Sequence, residues 1–239
     1  MNESLDADVL GKGDISGKVI IDPDIPEIPD YSEDEAQALP ETLMNPPGLI
    51  GRMVKSIRAF SRRDQPVLAL SGAFTAMSAY SGNHYIVMPD KTPLSPYSIN
   101  VSLTGGGKEA CRDWIREVAY EIDLLKRFQE SMSSSTAILR RLADDPCLCI
   151  MQDEFGRHLR QASGKDGTHA MSAITELMSL YGKGAGMYSG RSYADQKNNI
   201  DPIKYPFVSL LGTTTSSELM AVLKGADVDS GFLNRCMLF

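Results

Sequence analysis

The chain has 239 residues, 42 % hydrophobic and 23 % charged, enough apolar side chain for a full core. No apolar run approaches the roughly 18 residues of a membrane span, and the N-terminal MNESLDADVLGKGD has no apolar signal core, so no membrane role and a cytoplasmic location are expected. The formal charge of −7 opposes nucleic-acid binding only until its distribution is read: residues 1–45 hold 12 Asp and Glu against 2 Lys, which leaves residues 46–239 at +3 and permits contact with a phosphate backbone.

Residues 1–47 read as an acidic, Pro-rich tail or linker, because IIDPDIPEIPDYSEDEAQALPETLMNPP carries no sustained periodicity. A folded domain is expected over 48–239, with a helical lead-in over 48–82. In GLIGRMVKSIRAFSRR, Ile50, Val54, Ile57 and Phe60 recur at helical spacing, and Arg58, Arg62 and Arg63 read as a solvated face. QPVLALSGAFTAMSAYSG predicts a second helix with Pro66 in its first turn, small and apolar nearly all round and therefore buried.

A short strand, HYIVM, comes next, followed by a strand over Tyr97–Leu103. A helix from Lys108 then carries Ala110, Trp114, Val118 and Ile122 on one stripe. Ser135 or Thr136 is expected to cap another helix, which Asp144, Asp145 and Pro146 end. CLCIM is a compact apolar strand, AMSAITELMSLY a helix and YPFVSLLG a strand. The closing FLNRCMLF reads as a strand without a closing turn, which suggests a chain cut short of its C-terminus. Strands alternating with helices predict an α/β fold with a mostly parallel central sheet and helical cover. Cys111, Cys147, Cys149 and Cys236 are scattered, with only His84, His158 and His169 to join them, so buried free thiols are expected rather than a zinc cluster.

The chemistry concentrates in YSINVSLTGGGKEACRDW, residues 97–114, where a strand meets three glycines, a lysine and a helix. This is the order that cradles a nucleotide triphosphate: backbone N–H groups and a helix N-terminus face the anion while the lysine neutralises it. Against G-x-x-x-x-G-K-[ST], Ser102 replaces the first glycine and Glu109 the hydroxyl residue. Thr104, Gly105, Gly106, Gly107, Lys108 and Glu109 are the candidate ATP-binding residues. On the loop alone, a nucleotide site and a plain glycine-rich turn both fit.

Forty-five and 46 residues after Lys108, CLCIMQDEFG ends a strand on Asp153 and Glu154, a Walker-B arrangement. There the first acid holds Mg²⁺ through water and the second polarises the attacking water; a solvated turn is the simpler alternative. Glu109 offers a further carboxylate for the metal. In FVSLLGTTTSSEL, Thr213 is a candidate γ-phosphate sensor and Thr215 or Ser216 a helix cap. Arg235, in SGFLNR, is a candidate finger for transition-state charge, in its own or a neighbouring subunit. Residues 181–205 interleave Lys183, Arg191, Lys197 and Lys204 with Tyr188 and Tyr193, a composition suited either to single-stranded DNA or to a surface hairpin.

Together, and in this order, the blocks LSPYSINVSLTGGGKEACRDW, DEFGR, LLGTTTSSEL and DSGFLNRCMLF resemble the P-loop ATPase module of phage and prophage replication proteins, which is sometimes joined to a primase. The resemblance covers about Pro46 to Phe239. It implies a RecA-like P-loop NTPase fold, with Lys108 as the Walker-A lysine and Asp153 and Glu154 as the Walker-B pair. An acidic residue after G-K is a variant found in such relatives, so Glu109 fits the resemblance.

The resemblance further implies ATP and Mg²⁺ as cofactors, single-stranded or forked DNA as partner, a possible homo-oligomeric ring, a primase or other replication partner, and a bacterial or phage-infected cytoplasm. Helicase activity follows by analogy. Another P-loop motor, for DNA packaging or regulation, and a nucleotide-binding or interaction module without turnover are the alternatives. No primase motif, zinc-binding motif or DNA-reading helix is recognisable in the sequence.

Overall fold

The computed structural model describes residues 40–131, 133–164, 167–223 and 231–239. Of the tail expected over residues 1–47, residues 1–39 lie outside them. The described chain opens with α1 (Glu41–Met44), α2 (Gly48–Phe60) and α3 (Pro66–Ser81). The first of these falls inside the stretch read as a linker and packs on α3. Val54 and Ile57 bury the apolar face of α2, as the periodicity predicts.

The third helix is buried on nearly every side, from Leu68 to Ala79. Its small residues let neighbouring helices approach closely. A Cβ built on Gly72 would stand 2.7 Å from the Cys111 Cβ and 3.3 Å from the Ile57 Cδ1.

The HYIVM stretch contributes only β1 (Ile86–Val87), paired antiparallel with β2 (Thr92–Pro93) apart from the central sheet. Pro89 and Pro93 bring no N–H to a wider ladder. The remaining elements are β3 (Tyr97–Val101), α4 (Ala110–Glu121), β4 (Phe128–Gln129), α5 (Ser135–Asp144), β5 (Cys147–Gln152), α6 (Phe155–Ala162) and α7 (Thr168–Leu180). They continue with β6 (Met187–Tyr188), β7 (Ile203–Lys204), β8 (Phe207–Thr214), α8 (Ser216–Leu223) and β9 (Cys236–Leu238). Ser134, not Ser135 or Thr136, caps α5, accepting from the Ala137 N–H at 3.3 Å.

Five strands form the central sheet in the order β4-β5-β8-β3-β9, every neighbouring pair parallel. Alternation along the strands divides the core into two layers. Tyr97, Ile99, Leu148, Ile150, Val208 and Leu210 pack with α5, α6 and α7. Cys149, Met151 and Leu211 face the other way, onto α2, α3 and α4. Eight helices thus accompany a parallel sheet among the described residues, and helices cover both of its faces. Cys111, Cys147 and Cys149 are buried free thiols, and Cys236 is half-buried. No helix among the described residues is long and apolar enough to cross a membrane.

Candidate functional site

The strand order decides what can meet. Because β8 lies between β3 and β5, the residues that leave these three strands at their C-terminal ends share one edge of the sheet. A parallel sheet with helical cover binds ligands at that edge. The glycine loop leaves β3, Asp153 and Glu154 leave β5, and Thr213 lies near the end of β8.

Each glycine of the loop has its own physical reason. Gly105 and Gly107 have φ of +70° and +85°, a left-handed backbone that side chains oppose. Gly106 has ordinary φ but no room, since a Cβ there would collide with the Ser102 hydroxyl and stand 2.9 Å from the Leu103 carbonyl oxygen. Its N–H donates to that same carbonyl at 2.9 Å. Thr104 is exposed at the tip, Lys108 half-buried, and Glu109 exposed at the N-cap of α4, where its side chain makes no capping bond.

Asp153 is the hub. Its Oδ1 accepts from the Thr213 hydroxyl at 2.7 Å and from the Glu154 N–H at 2.8 Å, and lies 3.9 Å from Lys108 Nζ. Its Oδ2 lies 3.1 Å from Arg112 Nη2. Partial burial pushes this carboxyl up, but the Thr213 hydroxyl, the Glu154 amide, Arg112 and Lys108 together hold it below the ordinary carboxylate value. Lys108, Asp153 and Thr213 are therefore brought together at this edge.

Glu154 stands beside them in a left-handed conformation, φ +46° and ψ +41°, as the residue preceding α6. Its carboxylate turns to Arg157, 3.1 Å away, with both side chains largely exposed. Thr214 supports the same edge by accepting from the Gly156 N–H at 3.2 Å, and Thr215 accepts from the Glu218 N–H at 3.4 Å as the cap of α8.

Arg235 is not brought into this cluster. It directly precedes β9 at the N-terminal end of the sheet, since Cys236 pairs with Tyr97. About five residues of strand at roughly 3.3 Å each separate the two edges. Its guanidinium donates to the Gly231 carbonyl at 2.6 Å and lies 5.9 Å from the centre of the Tyr181 ring.

Two arginine groups carry what the sequence reading missed. Arg112 reads from its place on α4 as an ordinary helix cation, yet it is buried, and its Nε finds no hydrogen-bond partner among the described residues. Arg62 and Arg63 are solvent-exposed, as expected, but not on a helix face: α2 ends at Phe60, and both line a cleft of about 470 Å³ with Gly105, Gly107, Lys108 and Glu109. Arg58 pairs with Asp64, Nη2 to Oδ2 at 2.6 Å. Only tertiary docking sets these positions, so no local spacing announces them.

The 181–205 segment folds back as a hairpin in which β6 pairs with β7 and Arg191 bridges Ile200. Arg191 donates to Ser135 Oγ at 2.9 Å and to buried Glu176 at 3.1 Å, and the Tyr193 hydroxyl lies 3.0 Å from Thr136 Oγ1. Lys183, Lys197 and Lys204 are exposed. Compared with known proteins, the sequence matches no family model and no curated protein.

Proposed function

We propose that the chain is a RecA-like P-loop enzyme that hydrolyses ATP and couples turnover to DNA in phage or mobile-element replication, as a helicase-type motor. The observation that supports this most is the convergence of Lys108 and Asp153, 3.9 Å apart, at the C-terminal edge of a parallel sheet. The strand carrying Thr213 lies between theirs.

In this reading the glycine loop and Lys108 hold the phosphates, Thr213 keeps Asp153 ionised and aimed, and Glu154 orients the attacking water. The residues fit a Mg²⁺ ion held chiefly by substrate phosphates. Asp153 is an ionised oxygen ligand and Glu109 an exposed second carboxylate, while no group of three or more ligating side chains assembles among the described residues. Bound there, the metal would neutralise charge on the phosphates. Arg112 is the resting counter-ion of Asp153 and yields part of that carboxylate when the ligand arrives.

The proposed partners are single-stranded or forked DNA, further copies of the chain in a ring, and a primase or other replication protein, in a bacterial or phage-infected cytoplasm. Arg235, at the far edge of the sheet, would act as a finger only on a neighbouring subunit's nucleotide.

Phosphate release with and without single-stranded DNA, on the chain and on Glu154→Gln, tests the reading. Release stimulated by DNA and lost in the variant is expected. Release indifferent to DNA would point to another P-loop motor. One observation favours a binding module without turnover: the Glu154 carboxylate is turned onto Arg157. Tight Mg–ATP binding with no release would establish that alternative.

A further inference from the structure

The turn between α2 and α3 is built against the glycine loop. Ser61 Oγ donates to the Arg63 carbonyl at 2.6 Å and accepts from the Arg63 N–H at 3.3 Å, which closes the turn on itself. A Cβ built on Gly107 would stand 3.4 Å from the Arg63 Cβ. The third glycine of the loop and the turn are therefore in near contact. Beside that contact lies the cleft of about 470 Å³, walled by Phe60, Arg62 and Arg63 on one side and by Gly105, Lys108 and Asp113 on the other.

Phe60 is the odd residue in this wall. Val54 and Ile57, about two turns and one turn earlier on α2, are 0 % and 2 % exposed, whereas Phe60 is 41 % exposed. Phe60 and Asp113 also line an adjoining cleft of about 500 Å³, whose other aromatic is Tyr120. An accessible ring, two guanidinium groups and a carboxylate beside a phosphate loop match the parts of a nucleoside. A base has a π-face for the ring, and its amino group can donate to a carboxylate.

We propose that this cleft takes the base and sugar of the nucleotide whose phosphates the glycine loop holds, with Phe60 as the stacking platform and Arg62 and Arg63 along the open side. The inference rests on the phosphate-site reading above and adds the half of the site that recognises the nucleoside.

Calorimetric titration with Mg–ATP and with Mg–tripolyphosphate, which has phosphates but no nucleoside, separates the two claims. The proteins are the wild-type chain, Phe60→Ala, Phe60→Tyr and Lys108→Ala, each checked for folding. Phe60→Ala should bind ATP about tenfold more weakly. Its tripolyphosphate affinity should be unchanged, and Phe60→Tyr should restore ATP binding. Lys108→Ala should weaken both ligands.

If Phe60→Ala binds ATP as well as the wild type while Lys108→Ala weakens both ligands, the nucleoside cleft is wrong and the phosphate site stands. Equal loss of both ligands in Phe60→Ala would make the ring a support for the loop and overturn the inference. If wild type binds neither ligand, or Lys108→Ala changes nothing, the phosphate reading fails and the cleft falls with it.

Discussion

Four groups from different parts of the chain converge on the carboxylate of Asp153: Lys108, Arg112, Thr213 and the amide of Glu154. A carboxyl held below its ordinary value contributes stability above the unfolded value, and that contribution is lost as pH falls through the folded one. Asp153→Asn removes the charge and leaves buried Arg112 without its counter-ion. A loss of roughly 1–3 kcal/mol at pH 7 is expected, below the fully buried range because solvent screens this pair. In urea unfolding as a function of pH, the gap between wild type and variant should hold at neutral pH and shrink below the ordinary carboxylate value of 3.8. A gap that widens in acid would contradict the assignment.

Glu154 illustrates the opposite economy. A left-handed, non-glycine residue costs roughly 1–2 kcal/mol, and its exposed pair with Arg157 returns little. Glu154→Gly should leave unfolding free energy unchanged or raise it by up to about 1 kcal/mol, while abolishing any hydrolysis. Marked destabilisation in urea would mean that the carboxylate has a structural role instead.

Among the elements, the sequence was most readable where a strand or helix is long enough to show its period. Alternation in Leu148, Cys149, Ile150 and Met151 reads as a buried strand, and each residue faces the layer that this period requires. By contrast, β4 is two residues long and carries no period to read. The site was partly legible for the same reason. Lys108 and Asp153 each follow a recognisable strand, but Arg62, Arg63 and Arg112 acquire their positions only when helices dock.

Packing behind the site is tight enough to test. A Cβ on Gly212 would stand 2.8 Å, 2.9 Å and 3.0 Å from three atoms of fully buried Phe155. Gly212→Ala should cost about 1–3 kcal/mol in thermal unfolding, because the ring has nowhere to go. An unchanged melting temperature would show that the Gly212–Phe155 contact yields easily. Since Thr213 is the next residue, the displacement should also weaken nucleotide binding.

For the whole molecule, the sheet gathers Lys108, Asp153 and Thr213 at one edge and leaves Arg235 at the other. In the proposed ring, Arg235 would act only on a neighbouring subunit's nucleotide. Net charge divides along the sequence in a similar way: the acid-rich residues 1–45 contrast with a body at +3, so the proposed binding to a phosphate backbone should weaken with added salt.

The proposed function depends on the glycine loop holding a nucleotide. The most direct measurement is equilibrium binding of Mg–ATP to the wild-type chain and to Lys108→Ala, with both shown to be folded. The account predicts saturable binding by wild type and affinity weaker by about tenfold to a hundredfold in the variant, the loss of one charge-assisted phosphate contact. Equal affinities, or no binding by the folded wild type, would contradict it.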